Sequence, residues 1–207
     1  MEEQIMNMPA VALRGLTILP GMIAHFDISR ERSLRAVEEA MEQDQKIYLV
    51  TQRNVDSEDP TQEDLYQMGI VADIKQVVRL QNDVVRILVD GISRAALLGF
   101  TGNEKYLEAE ICYCDSNADS LPEDLREAML LGVREAFHRY AAVVGKISKE
   151  LIRQIDQYED LEKLIDYVTN NLPVSYELKQ QVLEAEDIND RYQVIVSLLL
   201  SQVEVIS

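Results

Sequence analysis

Apolar residues recur with two different periods along this chain. From Val84 to Ala95 the sequence reads V-V-R-I-L-V-D-G-I-S-R-A, and its front half alternates. Val85, Ile87 and Val89 fall on one side, and Val84, Arg86, Leu88 and Asp90 on the other. A period of two marks a strand with one buried face. A second β-branched run, Ile70 to Val78, comes just before it. Leu80-Gln81-Asn82-Asp83 between the runs is short and polar, so together they predict a hairpin. Gly91 interrupts the second strand. An isolated glycine in a strand predicts a bulge or the close approach of another backbone segment. The strand is expected to bend there and continue to Leu98.

The remaining elements follow from the same patterns. Val11 to Ile18 alternates weakly and predicts a first strand. Leu19-Pro20-Gly21-Met22 marks a turn, because proline sets φ and glycine supplies the tight bend. Ile23 to Ile28 is a short strand. Ser29 has the chemistry of an N-cap, and Leu34, Val37 and Met41 then follow at helical spacing, predicting a helix over 30–43. Lys46 to Thr51 is a buried strand, Asn54 to Thr61 a polar loop, and Tyr106 to Tyr113 a further strand. After Asp115 to Ser120 the period changes to 3.6. Pro122 suits a first helical position. Leu125, Met129, Val133, Ala136, Phe137, Tyr140 and Val144 form one stripe, which Gly145 ends. Ser148, Asp160, Ser175 and Asp187 open four more helices. The last one turns Ile188, Tyr192, Ile195, Leu199 and Val203 inward and reaches Ser207 with no stop signal, as expected of a chain cut from something longer. The fold class is α+β: a β-rich half with one helix over 1–115, then an all-α bundle over 116–207.

Composition narrows the function. The 207 residues are 47% hydrophobic, enough for a sizeable core. No apolar run has the length of a membrane span, and Met-Glu-Glu-Gln lacks a basic signal-peptide start, so a cytoplasmic location is expected. The net charge is −17, from 20 basic and 37 acidic residues. It disfavours nucleic acid, which needs a basic face. Cys112 and Cys114 lie one residue apart on a strand and are expected to pack, with no second ligand pair to hold a metal.

A search for catalytic groups finds no G-x-x-x-x-G-K-[ST] loop and no G-x-S-x-G elbow. His25 and His138 lie in different halves. Ser175 and Lys179 are four apart on one helix face, but nothing supplies the desolvation and oxyanion site a Ser–Lys pair needs. Binding remains. Pro20, Met22 and Ile23 place apolar side chains at a turn, and Val174, Tyr176 and Leu178 do so between two helices. One reading is that both groups plug a seam between the halves. The other is that they form exposed patches for unfolded polypeptide.

Several motifs carry a resemblance. Leu13-Arg14 through Leu19-Pro20-Gly21-Met22 resembles an L-R-x-x-x-x-x-P-x-M opening. Arg30, Ser33 to Ala36 and Ala40-Met41 resemble R-x-x-S-x-x-A-x-x-x-A-M. Lys46-Ile47, Leu49-Val50 and Gln52 resemble K-I-x-L-V-x-Q. Asp64-Leu65, Gly69 and Val71-Ala72 resemble D-L-x-x-x-G-x-V-A, and Val89 to Ala95 resembles V-x-G-x-x-R-A. In the helical half, Leu172-Pro173, Lys179-Gln180 with Leu183-Glu184, and Asp187-Ile188 with Arg191 resemble M-P, K-Q-x-x-L-E and D-V-x-x-R. In this order and at these distances the chain resembles the N-terminal domain of the ATP-dependent Lon proteases.

The resemblance implies a PUA-like coiled sheet followed by a helical bundle. It implies a role in recognising misfolded or regulatory protein substrates and in supporting a hexamer, with no catalytic residue, cofactor or metal in this stretch. ATP and Mg, the AAA+ ATPase and the Ser–Lys protease would belong to the full-length parent. The stripe at Leu199, Val203 and Ile206 predicts that the isolated stretch dimerises. The alternative is a stand-alone Lon-type adaptor or ligand binder. Relatives that bind drugs use a tryptophan cage, and this chain has no tryptophan.

Overall fold

The computed structural model describes residues 4–207, which form two compact units dividing between Cys114 and Asp115. The first holds β1 (Ile5–Leu13), β2 (Ile23–Ile28), α1 (Glu31–Glu42), β3 (Lys46–Thr51), β4 (Met68–Arg79), β5 (Val85–Phe100) and β6 (Glu108–Tyr113). The strand order is β2-β5-β4-β3-β1-β6, and β6 also pairs with β5. Strands β5, β4, β3, β1 and β6 therefore close a ring, with β2 attached outside it. Only β1 and β3 run parallel among these pairs. The class is α+β, as the two hydrophobic periods predict.

The closure depends on the length of β5. Its front half, Val85 to Asp90, pairs with β2, and its back half, Ala95 to Phe100, pairs with β6. One strand can serve two neighbours on the same edge only if it bends between them. The bend is at Gly91. Opposite it Ala72 pairs with Gly91 and Val71 with Ser93, so Ile92 is the extra residue of a bulge. A Cβ at position 91 would overlap the Leu19 carbonyl oxygen. Both features expected of the interrupted strand are thus present at one residue. The hairpin turn before it has Asn82 at φ 60° and Asp83 at φ 59°, and the Val84 N–H donates to the Gln81 carbonyl at 3.4 Å. Two successive left-handed residues make the type I′ turn whose twist matches the paired strands.

The central strands are buried on both faces. Ile47 and Leu49 of β3 enter one apolar cluster with Val37 and Ala40 of α1, and with Ile87 and Val89 of β5. Tyr48 and Val50 enter a second cluster with Ala95, Leu97 and Ile111. Tyr48 is fully buried, and its hydroxyl donates to the Ala95 carbonyl at 2.9 Å, which removes the cost of a buried polar tip.

Four local expectations are corrected. The first strand is Ile5–Leu13 rather than 11–18, because Gly15 takes φ 65° and ends it. Pro9 sits where β1 passes from β6 to β3, a position that tolerates the missing N–H. The cap of α1 is Arg30, not Ser29, and no side chain caps its first turn. In the helical unit Pro122 is the N-cap rather than the first helical residue, and Leu125 is 44% exposed instead of inward.

The second unit holds α2 (Glu123–Val144), α3 (Lys149–Gln157), α4 (Leu161–Asn170), α5 (Tyr176–Glu184) and α6 (Ile188–Ile206). Gly145, at φ 71°, closes α2, and the side chains of Ser148, Asp160, Ser175 and Asp187 accept first-turn N–H groups as their spacing predicts. Val133, Phe137, Ile155, Leu164, Ile195 and Leu199 are buried, while Tyr192 and Val203 are half-buried. Arg191 is buried, and its guanidinium donates to the carbonyls of Ala185 and Glu186 at 3.0 and 2.9 Å and to Glu162 at 3.2 Å. It satisfies carbonyls just past the end of α5, where no backbone donor follows on.

Gly91→Ala should destabilise the chain by about 1–3 kcal/mol, the usual cost of forcing atoms into a packed contact. Urea unfolding checks this. An unchanged midpoint would show that the Leu19 segment yields freely.

Candidate functional site

The bend in β5 sets the position of the first apolar group. Leu19 to Met22 form a β-turn, with the Met22 N–H donating to the Leu19 carbonyl at 3.1 Å and Gly21 at φ 79°. The Gly21 N–H donates to the Gly91 carbonyl at 2.8 Å, and the Gly91 N–H donates to the Met22 carbonyl at 2.9 Å. The turn is thus tied to the bulge by two backbone bonds. Its side chains divide. Met22 packs on the cluster beneath the sheet, Pro20 is half-buried, and Ile23 is 68% exposed. Ile92, the extra residue of the bulge, is also exposed. The sequence did not single it out, although its place beside the interrupting glycine is the signal that would have.

The second group lies on the helical unit. Val174, Tyr176 and Leu178 are each half-exposed. Leu178 lines a groove of about 590 Å³ between α5 and α6, with Val194 and Leu198 among the other walls. Val174 and Tyr176 are not in that lining. The two groups sit on separate compact units. The Ser175 hydroxyl accepts the Leu178 N–H as a cap, and burial holds the Lys179 amine below its usual pKa. The two residues share only the helix bond from the Lys179 N–H to the Ser175 carbonyl at 3.2 Å, and among the described residues no hydrogen bond joins the Ser175 hydroxyl to the Lys179 amine. His138 Nε2 lies 2.7 Å from Asp156 Oδ1. Among the described residues no three His, Cys, Asp or Glu side chains cluster as metal ligands do, and no helix is long and apolar enough to cross a membrane.

A third site was not read from the sequence as a site. A cavity of about 510 Å³ lies between the end of β1, the end of β2 and the first turn of α1. Arg14 and Arg30 both line it, and one Nη of each donates to the Ser57 carbonyl at 3.1 Å. Fully buried Gln52 organises this knot. Its Oε1 accepts from Arg30 at 2.9 Å, and its Nε2 donates to the Asn54 and Ser57 carbonyls at 2.9 and 3.0 Å. Burial first, then repulsion from Arg14, lowers the pKa of Arg30, while Asp59 and Glu58 act in the opposite direction. Arg14, Arg30 and Gln52 stand in three separate stretches of the motif series. The fold brings them together.

The comparisons with known proteins agree on one family. The family described as the ATP-dependent protease La (LON) substrate-binding domain matches residues 7–201. A Lon protease of Lachnoclostridium phytofermentans is 35% identical over 205 residues, covering 99% of this chain and 25% of that protein. Lon protease 1 of Bacillus subtilis is 30% identical over 205 residues, covering 99% of this chain and 26% of that one. The chain thus spans about a quarter of the length of these relatives. Among solved structures, the N-terminal domain of Mycobacterium avium complex Lon protease superposes with a TM-score of 0.75 at 18% identity, over 94% of this chain and 98% of that one. The Lon N-terminal domain protein from Xanthomonas campestris gives 0.62 at 13% identity, over 93% and 98%. These two show the shared fold.

Gln52→Leu should cost about 1–3 kcal/mol, because it removes the bonds that this buried side chain makes to the Arg30 guanidinium and to the Asn54 and Ser57 carbonyls. Thermal unfolding measures the loss. A stability equal to that of the parent chain would mean that solvent replaces Gln52 without cost.

Proposed function

The chain belongs to the Lon substrate-binding domain family, and on that premise we propose that it holds unfolded or damaged protein substrates for a longer ATP-dependent protease. The observation that carries this reading is an apolar turn, Pro20 to Ile23, fixed in place by backbone bonds while Ile23 remains 68% exposed. Large apolar side chains held rigidly at a surface suit a partner that offers apolar residues without fixed order. Misfolded chains do so, whereas native ones bury them. Leu178 at the α5–α6 groove offers a second contact of the same kind. We place the protein in the cytoplasm and assign ATP and Mg use, together with peptide-bond cleavage, to other parts of the full-length parent.

Each contact is expected to be weak. Apolar burial returns roughly 25 cal/mol per Å², and ordering a loose client consumes much of it. Several copies in one assembly would raise the effective affinity by avidity. The proposed assembly is the hexamer of the parent. In the isolated chain we propose a dimer through the end of α6, where Val205 and Ile206 are 77% and 46% exposed.

The chain should bind a reduced, amide-alkylated client at least about tenfold more tightly than the same client in its native fold. Ile23→Ser should weaken that binding about fivefold, from the loss of about 1 kcal/mol of apolar contact. Calorimetric titration reads both, and equal affinity for the two forms would refute the proposal. Light scattering should show dimers at high concentration that Val205→Asp together with Ile206→Asp dissolves. A monomer at every concentration would remove the self-association.

A further inference from the structure

The cavity between β1, β2 and α1 has the features of an anion site, and we infer that it takes a carboxylate carried by a substrate polypeptide. This deepens the reading above by naming a chemical group in the substrate. Two like charges converge there. Arg14 and Arg30 donate to the same carbonyl, and among the described residues neither forms an ion pair. A guanidinium has five N–H donors in a planar fork that matches a carboxylate, so the shared Ser57 carbonyl, with the Gln52 Oε1 that Arg30 also meets, leaves most of that capacity unused. The first turn of α1 adds N–H groups that no side chain caps, together with the positive end of a twelve-residue helix.

Ser33 sets a further donor in the cavity beside the two arginines. It is only 4% exposed and lines the cavity, and among the described residues its hydroxyl has no hydrogen-bond partner. The oxygen is open to the cavity rather than sealed in protein. A carboxylate reaching the first turn of α1 would accept from the Ser33 hydroxyl and share the two guanidinium groups. Leu16 and Phe26 are among the apolar residues of the lining and would cover the adjoining residue of the substrate. The opposing charges are identifiable. Asp27 also lines the cavity, but Arg86 holds it at 2.7 Å. Glu58 lines the cavity without a hydrogen bond or ion pair to a described residue, and it acts on Arg30 only at a distance. It is the group that an incoming carboxylate would have to displace or tolerate.

The test follows amide shifts of the isotopically labelled 207-residue chain during titration with short peptides. One is N-acetyl-Gly-Ala-Leu-Phe with a free C-terminal carboxylate, and its partner is the C-terminal amide. A second pair, N-acetyl-Ala-Leu-Asp-Phe-Gly amide and its Asn counterpart, carries the carboxylate on a side chain. At least one carboxylate peptide should move the amides of Arg14, Arg30 and Ser33, with affinity about tenfold above its neutral partner, the usual worth of a charge-assisted bond. Which pair shows the difference tells chain ends from acidic side chains. Arg14→Gln and Arg30→Gln should each remove about tenfold, and Glu58→Gln should tighten binding two- to threefold. Arg14 is exposed, so its variant tests the site even if the Arg30 variant does not fold. Ile23→Ser should leave carboxylate binding unchanged, which separates this site from the apolar turn. Neutral peptides binding as well as charged ones, or affinity indifferent to both arginines, would overturn the assignment and leave capture by the turn standing. A client that fails to prefer its unfolded form would do the reverse.

Discussion

No side chain can stand at position 91 without displacing the carbonyl of Leu19, and the β-rich unit is arranged around that approach. Because residue 91 is glycine, β5 can bend over the segment before β2 and exchange backbone bonds with it. The bend lets one strand pair with β2 along its front half and with β6 along its back half. It also creates two separate apolar clusters, so that β3 is buried on both faces rather than one. The same contact pins the Pro20–Gly21 turn. A backbone constraint in the middle of the chain therefore decides which apolar side chains are shown at the surface.

Much of this was legible, and the reasons are local. The alternation of Val85, Ile87 and Val89 gave the buried face correctly because one face of that half-strand packs on α1 and the sheet interior. The capping residues of the last four helices were readable because a Ser or Asp hydrogen-bonds to N–H groups within three residues of itself. Ser29 misled because tertiary contacts decide how the chain leaves β2. Arg30 is drawn to Gln52 and Ser57, far along the chain, and the helix starts one residue later. The stripe of α2 overstated burial at Leu125 because periodicity says which face is apolar, not how far along the helix a neighbour covers it. The cavity could not be seen at all as a place. Its residues come from three stretches, and only the pairing of β1 with β3 and the path of α1 assemble them.

The charge of the chain takes on a different meaning beside that cavity. A net charge of −17 describes the whole chain, not each local field. Two arginines without an ion pair among the described residues stand together within an acidic protein. The same unit offers apolar contact at the turn, and the helical unit offers a groove at α5–α6. Contacts of different chemistry on separate units would suit the proposed loose hold on many sequences. A single deep pocket would select one ligand and release it slowly. Several shallow ones let a client move on when something else pulls it.

An unfolded chain, in this reading, is held at the surface the Gly91 bend displays. Hydrogen–deuterium exchange of the 207-residue chain, with and without a saturating alkylated client, tests it most directly. Exchange should slow in the segments 19–30 and 174–181, with the interior strands β3 and β4 unchanged. Protection confined to other segments, or none at a concentration where binding is established, would contradict it.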